Sequence, residues 1–351
     1  MKKLRLGIIG AGWPGQMHAQ AARRVELASL DAVAELDPER RQAFEKEYLP
    51  EKSYSGYEEL LRDDEIDAVI ICLPNFLHFP ASLAALEAGK HILCEKPPTL
   101  NAAEMKVLRE AASQRGLLYY FSRQFRFTPE MRLAKSLAEE GRLGRIYHAT
   151  ATFVRSRGIP AWGGGWFTEK KRSGGGALID IGIHALDAVW YLMGTPKPLS
   201  VSAQVFRNFD HLVTVPVFDV EDAAYGFIRF ANGAVVQLET SWAGNLTDDI
   251  PPRQYFGRES NNSVLYGTKG SIRLKPFALF EDRAGELVKV DLEVEPDERN
   301  GFELQLQNFL EAIRGEAKPI NDAEQAVALM EMIDGIYASS TLGREVPLGL
   351  P

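Results

Sequence analysis

Two acids and a histidine recur on a short stretch in the middle of the chain. Asp180, His184 and Asp187 follow three glycines in the segment GGGALIDIGIHALD. On an α-helix this spacing places all three side chains on one face. An imidazole titrates near neutral pH and suits proton transfer, whereas carboxylate and imidazole groups also suit a divalent metal. A buried, hydrogen-bonded histidine between structural acids is a third interpretation, and the spacing alone leaves all three open.

A glycine-rich segment near the start indicates a second site. The motif GAGWPG places Gly10, Gly12 and Gly15 between an expected strand, LRLGIIG, and an expected helix, GQMHAQAARRV. Glycines at these positions allow a tight turn and close approach of the backbone to a pyrophosphate, and the helix N-terminus offers N–H groups to the phosphates. Trp13 and Pro14 belong to the same loop, so we predict that they also bind the dinucleotide.

Glu35 decides the predicted cofactor. It ends the second expected strand, 20 residues after Gly15 (35 minus 15). A carboxylate there accepts hydrogen bonds from an adenosine ribose and repels a 2′-phosphate, which predicts NAD rather than NADP. Arg40 and Arg41 follow closely and keep NADP open, although they are explained more simply as charges on a solvated helix.

The apolar pattern supplies the elements that must position these residues. Apolar runs such as AVIICL first alternate with amphipathic stretches, which is typical of a parallel sheet covered by helices. Longer strands with polar alternation, such as YHATATFVR, then indicate an antiparallel sheet. We predict an α/β chain with a dinucleotide-binding domain at residues 1–121 and a substrate-binding and oligomerisation domain at residues 122–351.

Composition narrows the classes of function. A length of 351 residues suits about two domains, and the formal net charge of -8 argues against nucleic acid or an anionic membrane as a partner. Cys72 and Cys94 lie in apolar runs, which favours buried thiols in a reducing compartment. Since the sequence also contains no apolar stretch of about 20 residues, we expect a cytoplasmic protein.

Several segments carry a family resemblance. ICLPNFLH (Ile71 to His78), ALEAGKHILCEKP (Ala85 to Pro97) and GGGALIDIGIHALD resemble motifs of the Gfo/Idh/MocA family of nicotinamide-dependent oxidoreductases, as do RFTPEM, YGTKGSI and YASSTLGREVPL. The resemblance implies a Rossmann domain followed by an α/β domain with an open, mainly antiparallel sheet. It also implies a homodimer or homotetramer formed through that sheet. Separately, we expect that the last helix can pack back toward the N-terminal domain.

The resemblance also implies roles for individual residues. Lys96 matches the family's active-site lysine, and Asp180 and His184 match its catalytic acid and histidine. Hydride transfer from an alcohol needs one group to accept the hydroxyl proton and another to stabilise charge on the oxygen. His184 would be the general base, with Lys96 as the alternative proton acceptor. Asp180 would orient His184 or bind a neighbouring hydroxyl, and Asp187 would support this pair or face a domain interface.

Two further groups of contacts follow from the resemblance and the residue types. The family's cofactor-side loop is matched by Leu73, Pro74, Asn75 and His78. Leu73 replaces the family's usual threonine, which puts a hydroxyl contact to the cofactor in doubt, Asn75 is expected at the nicotinamide ribose, and His78 could equally begin a helix without touching a ligand. Glu95 is expected to contact the same ribose or to orient Lys96.

The loop before the glycines is rich in aromatic and basic residues. Its sequence, RSRGIPAWGGGWFTEKKRSGGG, offers tryptophan faces for sugar rings and arginine donors for hydroxyl or carboxylate groups. Arg155, Trp162 and Trp166 are therefore predicted to bind substrate together with Asp180 and His184. A subunit-interface loop would also be rich in these residue types. Structural roles are assigned to the four remaining histidines: His18, His91, His148 and His211.

The predicted function is NAD-dependent hydride transfer between nicotinamide and a secondary alcohol or ketone of a sugar, cyclitol or sugar derivative. The alternatives are an NADPH-dependent keto-sugar reductase, a non-catalytic regulator that senses a dinucleotide or sugar, and a metal-dependent lyase. We predict no metal site, because nicotinamide supplies the redox chemistry and the sequence offers no evident fourth ligand.

Overall fold

The structure is a computed structural model that describes residues 3–246 and 257–349. Contacts between residues divide the chain into two units. The first unit comprises Met1–Phe127 and Glu298–Val327, and the second comprises Thr128–Asp297 and Ala328–Pro351.

A six-stranded parallel sheet forms the centre of the first unit, in the order β3-β2-β1-β4-β5-β6. The strands are β1 (Leu4–Ile9), β2 (Ala28–Ala34), β3 (Lys52–Tyr54), β4 (Ala68–Ile71), β5 (His91–Cys94) and β6 (Tyr119–Phe121). The helices are α1 (Trp13–Arg24), α2 (Pro38–Tyr48), α3 (Tyr57–Leu61), α4 (His78–Glu87), α5 (Ala102–Arg115) and α9 (Gly301–Ile313). The strand order reverses between β1 and β4, and ligands of such sheets bind beyond the carboxyl ends of the strands at this point.

The observed units differ from the predicted division at residue 121. The first unit extends to Phe127, and residues 298–327 return to it. Helix α9 belongs there because Leu306, Phe309 and Leu310 are part of the apolar core that also contains Leu6 and Ile8 of β1. Helix α9 thus returns to the first unit, and the last helix, α10 (Ala323–Leu342), has residues in both units.

The second unit contains a ten-stranded sheet in the order β15-β14-β13-β12-β7-β10-β9-β8-β16, with β11 paired to β7. Among the strand pairings that the structure describes within this second sheet, only β7–β10 is parallel, and the others are antiparallel. The strands are β7 (Ile146–Arg155), β8 (Pro198–Phe206), β9 (Ala223–Phe230), β10 (Val235–Ser241), β11 (Glu259–Ser260), β12 (Val264–Gly267), β13 (Gly270–Arg273), β14 (Ala278–Arg283), β15 (Glu286–Val290) and β16 (Val346–Pro347). The other helices are α6 (Pro129–Glu139), α7 (Lys170–Ser173) and α8 (Ile183–Leu192).

Helix α8 packs on one face of this sheet. Ala149, Ala151 and Phe153 of β7 are buried and alternate with more exposed residues, as expected of a strand with one face covered. Val154 of β7 pairs with Ser241 of β10, so both strands end at the same edge of the sheet. Across residues 3–246 and 257–349, no helix combines the length and apolar character that a membrane crossing requires.

Candidate active site

The loop between β1 and α1 contains three glycines, two of which have no room for a side chain, whereas the third faces open space. A Cβ at Gly10, whose φ is 98°, would lie 2.5 Å from the carbonyl oxygen of Cys72, and one at Gly15 would overlap the carbonyl oxygen of Gly10. A Cβ at Gly12 would meet nothing nearer than Pro14 Cδ at 3.9 Å. The space beside Gly12 is thus open to a ligand, as a pyrophosphate site requires.

Helix α1 begins directly after this open position. Gly12 is its N-cap residue, and Pro14 occupies the first turn, where a missing N–H is tolerated. No side chain caps the helix, so its first N–H groups are available to an anion. Trp13 is 65% exposed and its ring contacts Phe302 edge-on, with ring centroids 6.2 Å apart.

Glu35 is fixed beside the same loop. Its Oε2 accepts a hydrogen bond from the Ala11 N–H at 2.9 Å, and its Oε1 accepts one from the Asp37 N–H at 2.9 Å. Arg40 Nη2 lies 3.6 Å from Oε1, while Arg41 donates to the backbone carbonyl of Glu35 at 2.7 Å. The carboxylate therefore lies beside the glycine loop, with Arg40 close enough to offset part of its charge.

His78 fastens the loops that follow β4 and β5. Its Nδ1 lies 2.7 Å from the Pro97 carbonyl oxygen, and its Nε2 lies 2.7 Å from the Leu73 carbonyl oxygen. Burial disfavours the charged ring, but the Cys94 sulfur and the two carbonyl groups raise the pKa of His78 to about 9. Both ring nitrogens lie beside carbonyl oxygens, so His78 links the loop of Pro74 and the buried Asn75 to the loop carrying Lys96.

Glu95 and Lys96 follow directly after β5. Glu95 Oε1 lies 2.8 Å from His18 Nε2 and accepts a hydrogen bond from Ser122 Oγ at 2.9 Å. Glu95 Oε2 accepts the Lys96 backbone N–H at 3.1 Å. Burial would raise the pKa of Glu95, but these hydrogen bonds and the charge of His18 lower it to about 2. Lys96 is half-buried and is followed by a cis bond to Pro97.

In the second unit, Asp180 and His184 lie on a helix of mixed type. Residues Leu178–Gly182 form a π-helical turn, which continues into α8. Asp180 and His184 are both half-buried, whereas Asp187 is only 2% exposed. The prediction of one regular α-helical face is wrong in this detail, because the wider π turn changes the angular position of Asp180 relative to the residues that follow.

Trp242 and Phe153 surround this pair. The buried Trp242 donates its Nε1–H to Asp180 Oδ2 at 2.9 Å, which fixes the carboxylate. The Phe153 ring packs beside His184, with centroids 6.4 Å apart and an angle of 48° between the planes. Arg155 lies over the Phe153 ring, with its guanidinium carbon 5.1 Å from the ring centroid. The Arg155 Nε is also 2.7 Å from Glu259 Oε2.

The two predicted tryptophans lie in the loop before the glycines. Trp166 stacks on Phe167 with centroids 3.8 Å apart, and the half-exposed Trp162 contacts Phe167 edge-on at 6.2 Å. The structure thus joins Arg155 to the His184 surroundings through Phe153, and it joins Trp162 and Trp166 to each other through Phe167. In the described parts of the chain, no group of three or more His, Cys, Asp or Glu side chains could hold a metal ion.

Sequence reasoning missed three residues that hold the candidate site. His18 was assigned a structural role, and its contact with Glu95 could have been suspected from its position one helical turn after Gly15. Trp242 ends an ordinary strand pattern and gives no signal of its own. Glu221 is a buried carboxylate before β9 that accepts a hydrogen bond from the third glycine, and its sequence context, with Asp219 and Asp222 nearby, gives no signal of this role.

Comparison with known proteins agrees with this geometry. Residues 4–122 match a family model described as "Oxidoreductase family, NAD-binding Rossmann fold", and residues 131–273 match the "GFO/IDH/MocA C-terminal domain". The chain is 31% identical to D-glucoside 3-dehydrogenase of Escherichia coli (strain K12), over 98% of this chain and 97% of that protein. The chain belongs to the Gfo/Idh/MocA family.

Levoglucosan dehydrogenases are also similar to this chain, in sequence and in structure. Levoglucosan dehydrogenase of Pseudarthrobacter phenanthrenivorans is 32% identical over 78% of this chain and 73% of that protein. A solved structure of levoglucosan dehydrogenase in complex with NADH and levoglucosan is 25% identical, with a TM-score of 0.84, and the match covers 99% of this chain and 100% of that one.

The comparisons confirm the predicted Gfo/Idh/MocA membership, the Rossmann domain, the mainly antiparallel second sheet and the class of NAD-binding oxidoreductase. The relatives are dehydrogenases named for sugar substrates, as the predicted function requires. The roles of individual site residues, the subunit number and the cytoplasmic location stay predictions.

Proposed function

We propose that this enzyme oxidises a secondary hydroxyl of a sugar ring, or reduces the corresponding ketone, with NAD as the cofactor. The observation that carries the proposal is the half-buried pair of Asp180 and His184 on one helix, with Asp180 fixed by Trp242. The similarity to a D-glucoside 3-dehydrogenase and a levoglucosan dehydrogenase supports a glycoside or anhydro-sugar as the substrate class.

The residues of the first unit fit a dinucleotide. The open space beside Gly12 and the uncapped start of α1 suit the pyrophosphate, and Glu35 suits the adenosine ribose. A 2′-phosphate would meet the Glu35 carboxylate, which favours NAD. When bound, the nicotinamide supplies the acceptor or donor of the hydride.

The side chains then divide the proton chemistry. His184 accepts the proton of the reacting hydroxyl, since an imidazole exchanges protons near neutral pH. Asp180, held by Trp242, accepts a hydrogen bond from a neighbouring hydroxyl or from the His184 ring. The Lys96 ammonium stabilises negative charge on the reacting oxygen. Arg155 is already paired with Glu259, so it contributes by packing against Phe153 beside His184 and by its remaining N–H donors.

The decisive experiment is a hydride-transfer screen that follows NADH absorbance. NAD and NADP would be tested with glycosides, anhydro-sugars, aldoses, inositols and sugar acids, with Lys96→Met beside the wild type. We expect turnover with NAD and a glycoside or anhydro-sugar, and a loss of about 10²- to 10⁴-fold in kcat for Lys96→Met. Lys289→Met, which removes an exposed lysine of β15, is the matched control and should retain wild-type turnover.

The opposite result would favour the non-catalytic alternative. If the protein binds dinucleotide but oxidises or reduces none of these compounds, the dehydrogenase proposal is wrong for these substrate classes. A clear preference for NADPH with keto-sugars would instead identify the reductase.

We also propose a homo-oligomer formed through the open face of the second sheet. Tyr225 of β9 and Phe206 of β8 are 43% and 41% exposed and contact each other edge-on on this face. Exposed aromatic pairs of this kind are typical of subunit interfaces. Sedimentation velocity should show a dimer or tetramer that Tyr225→Lys weakens, and a wild-type monomer would contradict the proposal.

A further inference from the structure

Glu221 is a carboxylate buried at the start of the helix that carries Asp180 and His184. The Gly176 N–H lies 2.9 Å from both of its oxygens, and the Leu178 N–H lies 2.9 Å from Oε1. The Tyr337 hydroxyl donates to the same Oε1 at 3.0 Å. The first N–H groups of a helix have no partner within the helix, and here a distant side chain satisfies two of them.

Gly175 and Gly176, the second and third glycines of the GGG segment, leave room for Tyr337 and Glu221 to approach the backbone. A Cβ at Gly175 would overlap the Tyr337 hydroxyl, and a Cβ at Gly176 would overlap the backbone carbonyl of Glu221. That carbonyl also accepts the Ala177 N–H at 3.1 Å. The glycines therefore allow the backbone to approach Glu221 closely, rather than making the loop flexible.

The next residue links Glu221 to the other support of the site. The Asp222 carbonyl accepts the Trp242 backbone N–H at 2.8 Å. The Trp242 indole in turn donates to Asp180. At the end of the π turn, a Cβ at Gly182 would lie only 2.8 Å from Thr240 Cγ2, so β10 closes the opposite side. Residues 221 and 222 thus contact both the start of the helix and the side chain that fixes Asp180.

We propose that Glu221 is a positioning residue for the reaction: by holding the Gly176 and Leu178 N–H groups it sets where the π turn begins, and so where Asp180 and His184 point. This inference rests on the proposed function of Asp180 and His184. A displacement of catalytic groups by about 1 Å can cost 10²-fold in rate, so the effect should appear mainly in turnover of the sugar. NAD affinity should not change, because none of these contacts involves the dinucleotide-binding residues.

Three variants test the inference. Glu221→Ala removes both acceptors, and we expect kcat/KM for the sugar to fall about 10- to 100-fold through kcat, with an unchanged Kd for NAD. Glu221→Gln keeps one carbonyl oxygen for the two N–H groups and should recover most of the activity. Tyr337→Phe removes one hydrogen bond only and should cost a few-fold, about 2- to 5-fold, in kcat.

A matched control separates positioning from general stability. Glu303 is likewise buried, accepts hydrogen bonds from the Arg24 and Asn300 side chains, and lies on α9 in the first unit. Glu303→Ala should lower the temperature of unfolding while leaving kcat per folded molecule unchanged. If Glu221→Ala behaves like Glu303→Ala, Glu221 is a stability residue and the inference is wrong.

A second readout does not depend on turnover. The Trp242 indole N–H donates to Asp180, so its ¹⁵N–¹H resonance, assigned with Trp242→Phe, reports the position of the π turn. This resonance should move in Glu221→Ala and stay near its wild-type position in Glu221→Gln. An unmoved resonance in Glu221→Ala would overturn the inference. Should Glu221→Ala fail to fold, a shifted resonance in Tyr337→Phe supports the inference, and an unshifted one contradicts it.

The two proposals can fail separately. A wild-type protein that turns over no sugar contradicts the proposed function, whereas the Trp242 resonance still decides whether Glu221 positions the turn. Normal turnover with equal kcat in wild type and Glu221→Ala contradicts only the positioning role.

Discussion

The two glycine-rich turns of this enzyme lead into helices in similar ways but end in opposite arrangements. At GAGWPG the space beside Gly12 is open and no side chain caps α1. At GGGALID the space beside Gly176 is filled by Glu221, whose carboxylate accepts the first N–H groups of the helix. The first turn leaves the N–H groups of α1 without a side-chain cap, whereas in the second turn the Glu221 side chain accepts them.

The comparison shows that a glycine before a helix has two distinct uses. In the first turn the missing side chain leaves an open space, which we expect to hold a phosphate group of the cofactor. In the second it lets Glu221, which lies just before β9, approach the backbone at the start of the helix that carries the candidate catalytic residues Asp180 and His184. Substitution of one glycine from each turn should therefore separate ligand binding from folding.

The largest effect is expected for Gly176→Ala. The new methyl group would overlap the Glu221 carbonyl and lie 3.0 Å from Val220 Cγ2, inside a buried backbone contact. Overpacking of this kind costs about 3 kcal/mol, and the displaced helix should also lose turnover. Chemical denaturation and kcat measure the two effects. Wild-type stability in Gly176→Ala would contradict the close packing assigned to this turn.

The next effect is expected for Gly12→Ala, and it should fall on binding alone. The methyl group meets no neighbour closer than 3.9 Å in the protein, so the free energy of unfolding should change by less than about 0.5 kcal/mol. It would occupy the pyrophosphate space and should raise the Kd for NAD about 10- to 100-fold, or about 1.4 to 2.8 kcal/mol.

Gly56→Ala is the control for this variant, because Gly56 is also a helix N-cap residue in the extended conformation. It should bind NAD as the wild type does. Equal NAD affinity in Gly12→Ala and the wild type would show that the cofactor lies elsewhere.

The smallest effect is a difference in pH dependence between the buried glutamates of the two regions. Glu95 has a pKa of about 2, below its ordinary value of 4.5, so its stabilisation is complete above pH 4.5 and is lost as the pH falls toward 2. Burial raises the pKa of Glu221, so its contribution is greatest below pH 4.5 and declines as the pH rises through its folded-state pKa.

Replacing each glutamate by glutamine should therefore change the pH dependence of the free energy of unfolding in opposite directions. In Glu95→Gln, the free energy of unfolding should fall less steeply than in the wild type as the pH drops from 4.5 to 2. In Glu221→Gln, the free energy of unfolding should increase relative to that of the wild type as the pH rises above 4.5. Denaturant titrations across pH 2 to 7 measure both slopes. Parallel curves for the two variants would show that the regions do not differ in this way.

Prediction from sequence was most complete where the site is local in the chain. Gly10, Gly12, Gly15 and Glu35 fall within one strand–helix–strand segment, and their spacing expresses backbone requirements that do not depend on the rest of the protein. The buried runs of β1, β4 and β5 likewise predict a parallel sheet, because strands covered on both faces show no polar alternation. Both features are present in the structure.

Prediction was incomplete where contacts join distant segments. The sequence predicted an α-helix for Asp180 and His184, but the structure has a π turn at Leu178–Gly182, which contacts Thr240 and Glu221 from distant parts of the chain. The return of α9 to the first unit was missed as well, because an amphipathic helix near the end of a chain can pack on either domain. The hydrophobic periodicity and the helix propensity of a segment do not determine which part of the protein the helix packs against.

The sequence by itself determined the family, the nucleotide-binding loop and the types of the candidate catalytic residues, since these are properties of neighbouring residues. Only the tertiary structure decided how those residues are held. Trp242 meets Asp180 across 62 positions of the chain, and Glu221 meets Gly176 across 45. Such pairs form because β9, β10 and the helix start pack together in one fold, and no local pattern carries that information.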